Sequence, residues 1–302
     1  MRKQLEILAC WLLLLFLFPY IITLVWTGKV EGSSKSQEIT GNKTIIEDQY
    51  TMSVMDIEEF LIGVVAAQMP ADYEAEALRA QAIIARTYIY NKMSDAEEIS
   101  SGNLKINYWS LSECKKQWGK DNYSDYYEKI KTAVGSTAGM IMKYEGKVIV
   151  PMFHSASSGQ TRDGDEDHPY FVAVSSAWDV EMEGYLSITD WGIGDFAKYF
   201  NIDSTDGIVD TIQIVERDSS GYVTKIEAGG ESYSGDSFQA ILNLQSACFT
   251  IENFEGKIRI ICKGIGHGYG LSQWGSNKQA KEGMTAEEIL PYYYKNIQII
   301  SE

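Results

Sequence analysis

The sequence predicts an α+β fold in which an N-terminal transmembrane helix precedes a mixed ectodomain of helices and antiparallel strands. Three observations support this prediction. Residues 7–26 carry no charge, residues 56–93 place apolar side chains at helical spacing, and residues 140–263 contain alternating segments separated by turn sequences. With 302 residues and 45% hydrophobic content, the chain is long enough to bury a large core.

The apolar run at residues 7–26 reads ILACWLLLLFLFPYIITLVW and follows Arg2 and Lys3. At ~1.5 Å rise per residue, such a helix spans roughly 30 Å, the thickness of a bilayer core. A cleaved signal peptide has a shorter apolar region, of about 7–15 residues, and an A-x-A-like site after it, which is absent here. We therefore expect residues 1–26 to form a cytoplasmic stub and an uncleaved anchor. The two cations before it place the rest of the chain outside a cell membrane that is crossed once.

Residues 27–51 are polar and without sustained periodicity, so we expect a linker there and an ectodomain over residues 52–302. A first helix is predicted over residues 56–69, where Pro70 stops it. A second helix is predicted over residues 73–93, with Asp72 as its N-cap.

The later part of the ectodomain has strand signals. Two hairpins are predicted over residues 140–155 and 211–228, each with a glycine at its turn. Residues 257–264 alternate as in a half-buried strand. Thr285 and Glu288 form a capping-box pattern, which predicts the start of a last helix.

Composition excludes one class of partner. The formal net charge of −16 supplies no basic groove for a phosphate backbone, so we expect no nucleic-acid partner. Beyond the anchor the chain has three cysteines, an odd number without C-x-x-C spacing, and a disulfide framework is not expected in a domain this large. Pairing of Cys248 with Cys262 stays open.

The most unusual segment is residues 264–275, GIGHGYGLSQWG, in which every second residue from 264 to 270 is glycine. In an extended chain this pattern leaves one face as bare backbone, open to a ligand or a neighbouring chain, and places His267 and Tyr269 on the other. The dinucleotide fingerprint G-x-G-x-x-G does not fit this spacing. The alternative is that the glycines form a bend and His267 is an ordinary core histidine.

A second candidate segment is residues 153–179, where His154 and a serine-rich turn precede an acidic loop. Residues 163–167 resemble the start of a calcium loop, yet the sixth position is His168 and the twelfth is Val174, where that loop needs glycine and glutamate. The G-x-S-x-G elbow of a serine hydrolase is also absent. Neither a calcium site nor a serine hydrolase is predicted.

Three separated segments together resemble the stage II sporulation protein D family, which includes the amidase-enhancer proteins. They are ALRAQAIIARTY (77–88), FHSASSGQT (153–161) running on to SSAWD (175–179), and GHGYGLSQWG (266–275). The resemblance covers about residues 52–297. It implies a cofactor-free lytic transglycosylase of forespore engulfment, which cuts the bond between N-acetylmuramic acid and N-acetylglucosamine in peptidoglycan strands that a partner amidase has stripped of peptides.

The sequence departs from the family at its acid. The family usually reads V-V-A-x-E-M-P, and here the glutamate position is Gln68. Cleavage requires a carboxylic acid, kept protonated by an apolar surrounding, which protonates the leaving glycosidic oxygen. An amide has the same shape but cannot shuttle a proton near neutral pH.

Three interpretations of Gln68 stay open. In the first, the protein is a non-cleaving relative that binds glycan and recruits or stimulates an amidase. In the second, another carboxylate replaces the missing acid, either Asp72 or one of the loop acids Asp163, Asp165 and Glu166. In the third, Gln68 is a core amide and the acid lies elsewhere.

The remaining motif residues receive roles by resemblance. A sugar groove would be lined by His267, Ser272 and Gln273, with Tyr269 as a stacking surface, while His154 and Ser155 either touch substrate or satisfy the end of a strand. Some relatives hold a structural zinc in the segment corresponding to residues 107–120. Here Cys114 has no second cysteine or histidine nearby, so no metal is expected.

Overall fold

Helices and antiparallel strands alternate along the chain in the computed structural model, which describes residues 43–47, 52–202 and 207–302. These residues belong to one unit spanning residues 41–302, and the mixed α+β class is confirmed. No helix within the described ranges combines the length and the apolar character needed to cross a bilayer. The predicted anchor at residues 7–26 lies outside the described residues.

The described residues contain eight α-helices. They are α1 (Ile57–Gln68), α2 (Ala75–Met93), α3 (Ser101–Leu104), α4 (Leu111–Ser136), α5 (Ile193–Tyr199), α6 (Gly235–Leu242), α7 (Gln273–Lys281) and α8 (Ala286–Tyr293). Two 3-10 helices add to these, at Ala177–Glu181 and Ile208–Thr211.

The strands are short. They are β1 (Lys43–Glu47), β2 (Met52–Asp56), β3 (Glu98–Ser100), β4 (Met140–Tyr144), β5 (Lys147–Val148), β6 (Phe153–His154), β7 (Leu186–Gly192), β8 (Gln213–Arg217), β9 (Val223–Ala228), β10 (Glu231–Tyr233), β11 (Phe249–Phe254), β12 (Lys257–Lys263), β13 (Leu271–Ser272) and β14 (Gln298–Ser301). Within the described ranges they form sheets of order β2-β1-β3, β14-β4-β5, β10-β9-β8, β11-β12-β7 and β13-β6.

Helix α1 follows its sequence signals closely. The Asp56 carboxylate accepts a hydrogen bond from the Glu58 backbone N–H at 2.8 Å, which caps the helix start. The apolar face of α1 is buried, and the helix ends at Gln68, two residues before Pro70.

Helix α2 begins later than predicted. Asp72 is not its N-cap: that position is Glu74, which makes no side-chain capping bond. The side chain of Asp72 is exposed, and its backbone carbonyl accepts a hydrogen bond from Lys129 Nζ at 3.2 Å. The turn between Pro70 and Glu74 therefore places Asp72 at the surface.

The hairpin over residues 211–228 is confirmed, as is the strand over residues 257–264, which is β12. The hairpin predicted over residues 140–155 is confirmed at its turn, but its second strand ends at Val148, and Phe153 and His154 pair with β13 instead. Strands β4 and β5 pair antiparallel across Glu145 and Gly146, both with positive φ, and β8 pairs with β9. The last helix, α8, begins after Thr285 with the predicted capping box to Glu288.

Several elements were not anticipated from the sequence, among them β1 and α4. Strand β1 lies inside the predicted linker and pairs antiparallel with β2 and parallel with β3, so paired structure begins at Lys43 rather than near Met52. Helix α4 packs against α1 and α2, and its start carries a capping box between Ser110 and Glu113. Its predominantly polar sequence, interrupted at Gly119, hides the helical periodicity.

The described residues build two large hydrophobic cores, and Tyr222, Ala247 and Cys248 form a third, small cluster. The larger one joins α1, α2, α4 and α8, and the smaller one lies among β7, β9, β11, β12, α5 and α6. The glycine-rich segment, residues 264–270, leaves the smaller core at the end of β12 and enters the larger core at β13. It therefore connects the two cores.

The glycine-rich segment is not the extended strand that its alternation predicts. Its glycines at 264, 266, 268 and 270 all have positive φ, between 67° and 110°. Each lies so close to neighbouring groups that a Cβ would collide; at Gly266 it would lie 2.7 Å from His154 Cβ. The segment therefore winds tightly against residues 152–158 and, at Gly268, against Tyr222. It makes isolated bridges from Ile265 to Ala156 and from Tyr269 to Arg162, and the parallel pairing of β13 with β6 follows it.

Candidate functional site

A cleft of about 500 Å³ opens between the helix pair and the glycine-rich segment. We call its two sides the helix wall, formed by residues of α1 and α2, and the strand wall, formed by residues around β6 and the glycine-rich segment. The helix wall consists of Ala67, Gln68, Ile84, Ala85 and Tyr88. The strand wall consists of Pro151, Met152, Phe153, His154, Ser155, Ile265, Gly266 and His267. Lys105, Ile106, Asn107 and Gln273 complete the lining.

Gln68 lies in the helix wall and belongs to a cluster of three glutamines. Its side-chain oxygen accepts a hydrogen bond from Gln81 Nε2 at 2.8 Å. Gln273 Nε2 donates to the Gln68 backbone carbonyl at 2.8 Å and to Gln81 Oε1 at 3.2 Å. Gln81 and Gln273 are buried, whereas Gln68 is half-buried at the cleft surface. The cluster fixes the Gln68 side chain and leaves its amide nitrogen as the group available to a ligand.

The strand wall contributes two histidines whose ring centroids lie 5.7 Å apart. His154 Nδ1 lies 3.1 Å from the Tyr269 carbonyl oxygen. Since a carbonyl only accepts, Nδ1 carries the proton and Nε2 has the free lone pair. His267 is the opposite tautomer, because its Nδ1 accepts the Tyr269 backbone N–H at 3.0 Å.

Both imidazoles are held neutral. Burial, the largest cause, and the neighbouring His267 together lower the pKa of His154 to about 3, against the opposing effect of the hydrogen bond to Tyr269. Burial also lowers the pKa of His267. Neither ring acts as a cation near neutral pH.

Among the described residues, the lining of the cleft contains one basic side chain, Lys105, and no carboxylate. Asp72 lies outside the lining, at the surface turn after α1. The loop acids Asp163, Asp165 and Glu166 are also exposed and outside the lining. Asp163 accepts the Ala173 backbone N–H at 2.9 Å, which folds the acidic loop upon itself.

The predicted groove residues fall into two groups. His154, Ser155, His267 and Gln273 line the cleft. Ser272 does not: it is completely buried, and its hydroxyl donates to Asp179 Oδ1 at 2.7 Å while accepting the Gly275 backbone N–H that starts α7.

Tyr269 lines a second, smaller cavity of about 410 Å³ rather than the cleft. Its ring packs on the Arg162 guanidinium, 4.4 Å from the ring centroid. Arg162 is in turn paired with Asp218 and Asp236. His267 lines both cavities and so lies at their junction.

Asp179 is a buried carboxylate that the sequence reasoning missed, although it ends the SSAWD motif. Its Oδ2 accepts hydrogen bonds from both the backbone N–H and the hydroxyl of Ser157 at 2.6 Å, and its Oδ1 accepts from Ser272. Burial raises the pKa of Asp179, while these hydrogen bonds oppose the rise. Asp179 therefore ties the serine-rich turn to the start of α7, behind the strand wall. A lone aspartate after a tryptophan gives no sequence signal of this role.

The cysteines and Arg86 are structural. The described thiols of Cys114, Cys248 and Cys262 are buried and unpaired, and no group of three or more metal-ligating side chains occurs among the described residues. Arg86 is fully buried on α2 and donates to both Glu58 carboxylate oxygens, from Nε at 2.7 Å and from Nη2 at 2.5 Å. This pair fastens α2 to the start of α1.

Comparison with known proteins decides the family. A model described as Stage II sporulation protein matches residues 47–144. Stage II sporulation protein D of Bacillus amyloliquefaciens is 34% identical over 83% of this chain and 76% of its own length. The protein of the same name from Bacillus subtilis (strain 168) is 35% identical over 80% of this chain and 74% of its own length.

The chain belongs to the stage II sporulation protein D family. The Amidase enhancer of Bacillus subtilis (strain 168) is also similar, at 23% identity over 80% of this chain and 40% of its own length. Family membership thus spans both walls of the cleft, because the matched relatives extend over most of the chain. The matched family model itself covers α1 and α2, and so the helix wall with Gln68.

Proposed function

We propose that this chain is a sporulation cell-wall protein that holds peptide-stripped glycan strands of peptidoglycan in the cleft without cleaving them. The position of Gln68 carries the proposal. The residue that replaces the family's glutamate lies in the helix wall, where Gln81 and Gln273 fix it by hydrogen bonds. An amide there can bind a sugar hydroxyl or carbonyl, and it cannot donate and retrieve a proton at neutral pH.

The rest of the cleft supports binding of a neutral polymer. Apolar side chains from both walls, including Ile84 and Ile265, alternate with uncharged polar groups such as Ser155 and Asn107. Sugar rings present apolar faces and hydroxyl edges, so this mixture is complementary to them. Lys105 is the only cation of the lining and leaves the cleft without a strongly charged surface.

The proposal also includes the cellular location of the chain and its protein partner. Residues 7–26 anchor the chain in the cell membrane by a single span, the residues between that anchor and β1 connect it to the body, and the body from Lys43 onward faces outward. The partner is a cell-wall amidase, proposed from the similarity to a relative named Amidase enhancer. By holding stripped strands, this chain would keep the amidase near further substrate.

To test the proposed function, the full chain is mixed with glycan strands from which an amidase has removed the peptides. Peptide-bearing strands are the control. We expect retention of intact stripped strands and weaker retention of the control, both followed by mass spectrometry. The appearance of 1,6-anhydro-muramyl ends would overturn the non-cleaving assignment. Failure to retain stripped strands would overturn glycan binding itself.

A further inference from the structure

A third cavity, of about 340 Å³, lies where the turn between β8 and β9 meets β11 and β12. It shares no lining residue with the cleft or with the second cavity. Its volume is at the lower end of the range of about 300–1,000 Å³ that is typical of small-molecule sites. The cavity is therefore separate from the proposed glycan site and large enough for a small ligand or for the end of a chain.

The charged groups that line the third cavity are positive. Arg217 and Lys263 are its basic side chains, and no carboxylate of a described residue lies in the lining. Neither cation forms an ion pair with a described residue, and Asp218, the sequence neighbour of Arg217, is bonded to Arg162 instead. The chain as a whole has 42 acidic and 26 basic residues, so two cations together in one cavity run against its composition. Such a cavity attracts an anionic ligand.

The guanidinium of Arg217 is held in place without losing its charge. Its Nη1 donates to the Gly221 carbonyl at 2.8 Å, and its Nη2 donates to the Phe249 carbonyl at 2.7 Å. Both acceptors are neutral, so the positive charge is not compensated, and three of the five N–H donors of the side chain remain for other partners. A carboxylate binds to a guanidinium with two parallel hydrogen bonds.

The second cation, Lys263, belongs to β12. Its backbone N–H donates to the Cys248 carbonyl at 2.8 Å, which fixes the base of an otherwise exposed residue. Burial raises the pKa of the Cys248 thiol, while Arg217 and Lys263 both oppose the rise. The two cations therefore act on the same point of the cavity, as the binding of a single anionic group requires.

The rest of the lining is partly apolar. Phe249 and Cys248 are buried, and Ile261 is half-buried. A phosphate ion has oxygen atoms on every side and makes no use of such groups, whereas the last residue of a peptide carries its carboxylate beside its side chain. Strand β11 lies at the edge of its sheet, where an extended peptide can add main-chain hydrogen bonds.

We infer that the third cavity is a second binding site, which takes the C-terminal carboxylate of a short peptide whose last side chain is small and apolar. The carboxylate lies between Arg217 and Lys263, and the last side chain packs against Phe249 and Ile261. The inference goes beyond glycan binding and does not depend on it, since the two sites share no residue.

Two probes, N-acetyl-Ala-Ala and its C-terminal amide, test the assignment on the full chain by isothermal titration calorimetry at low salt, since salt screens exposed charges. We expect the acid to bind about tenfold more tightly than the amide, as charge-assisted hydrogen bonds provide. Equal affinity for the two probes, or no binding of the acid, would overturn the inference. Tighter binding of inorganic phosphate than of the acid would also overturn it, because the cavity would then be a phosphate site.

Variants of two lysines on β12 separate a built site from attraction by net charge. Lys263→Gln should remove most of the preference for the acid, and Lys263→Arg should retain it, because the charge is kept. Lys257→Gln is the matched control: Lys257 is exposed on the same strand and the same face of the sheet, lies outside the cavity and should leave both affinities unchanged. Equal weakening of the acid by Lys257→Gln and Lys263→Gln would overturn the inference.

These outcomes are distinguishable from those of the proposed function, because neither probe contains sugar. Retention of stripped strands without a preference for the acid would overturn this inference alone. A preference for the acid without retention of stripped strands would support this inference and overturn the proposed function alone.

Discussion

The two walls of the cleft treat their polar groups in opposite ways. Gln68 of the helix wall is bonded to Gln81 and Gln273, so that the two buried amides of this cluster have protein partners. On the strand wall, His154 Nδ1 has a protein partner, whereas its Nε2 has none among the described residues. A satisfied buried group stabilises the fold, whereas an unsatisfied one costs free energy.

This difference corresponds to two distinct functions, binding a ligand and catalysing its cleavage. A transglycosylase needs a titrating group where Gln68 lies, and the amide there exchanges no proton. The strand wall needs no titration for its role, because a neutral imidazole accepts a hydrogen bond at any pH in the neutral range. The predictions below change one wall at a time, from the largest expected effect to the smallest.

Gln68→Glu restores a titratable group to the helix wall, and we expect it to produce 1,6-anhydro-muramyl ends from stripped strands. The rate should rise about 10²–10⁴-fold above the unaltered protein, the usual contribution of general acid–base catalysis. Mass spectrometry of the products measures it. Gln213→Glu, on an exposed position of β8, is the matched control and should release nothing. If the unaltered protein already cleaves, the contrast between the walls is wrong.

Gln81→Leu removes the central residue of the glutamine cluster. We expect the free energy of unfolding to fall by about 1–3 kcal/mol, because two buried hydrogen bonds are lost. Urea titration gives the free energy of unfolding. Gln279→Leu is the control, because that buried glutamine has an Oε1 without a partner among the described residues and should lose less. Equal losses would mean that the cluster adds no stability beyond ordinary packing.

His154 makes the stability of the strand wall depend on pH. Its pKa is about 3 in the folded protein and about 6.5 unfolded, so the unfolded state alone binds a proton between these values. The stability linked to the neutral His154 ring is fully present above about pH 6.5 and is lost as the pH falls towards the pKa of the folded protein. Between about pH 7.5 and pH 5 the unaltered protein should lose about 2 kcal/mol more than His154→Phe, by denaturant titration at both pH values. An equal loss in both proteins would contradict the buried neutral state.

Asp72→Asn should change least. The carboxylate is exposed and outside both walls, and exposed substitutions usually alter stability by less than about 0.5 kcal/mol. The amount of stripped glycan that the chain retains, followed by mass spectrometry, should be unchanged. A clear loss of retention would return Asp72 to the site as the substitute acid considered from the sequence.

The parts of the fold set by local signals were predictable. Helix α1 has an aspartate cap and a terminating proline, and each hairpin has a glycine at its turn, so few distant contacts are needed to specify them. Helix α4 was missed because its exposed polar faces weaken the periodic pattern, although Ser110 and Glu113 mark its start.

The candidate site was predictable in its residue types and not in its contacts. His154, His267 and Gln273 were named from motifs, and the structure places all three in the cleft lining. The sequence left open whether the glycine-rich segment is extended or bent, since positive φ at these glycines follows from the close approach of residues distant in sequence. The same limit applies to Ser272, whose hydroxyl faces Asp179, 93 residues away in sequence.

The glutamine cluster also determines when the cleft can form during synthesis of the chain. Gln273 and Gln68 are 205 residues apart, and a ribosome adding about 5–20 residues per second needs about 10–40 s to cover that distance. Until then the helix pair has neither its third amide nor the glycine-rich segment against it. The cleft is therefore incomplete until the glycine-rich segment and Gln273 have been synthesised, close to the end of the chain.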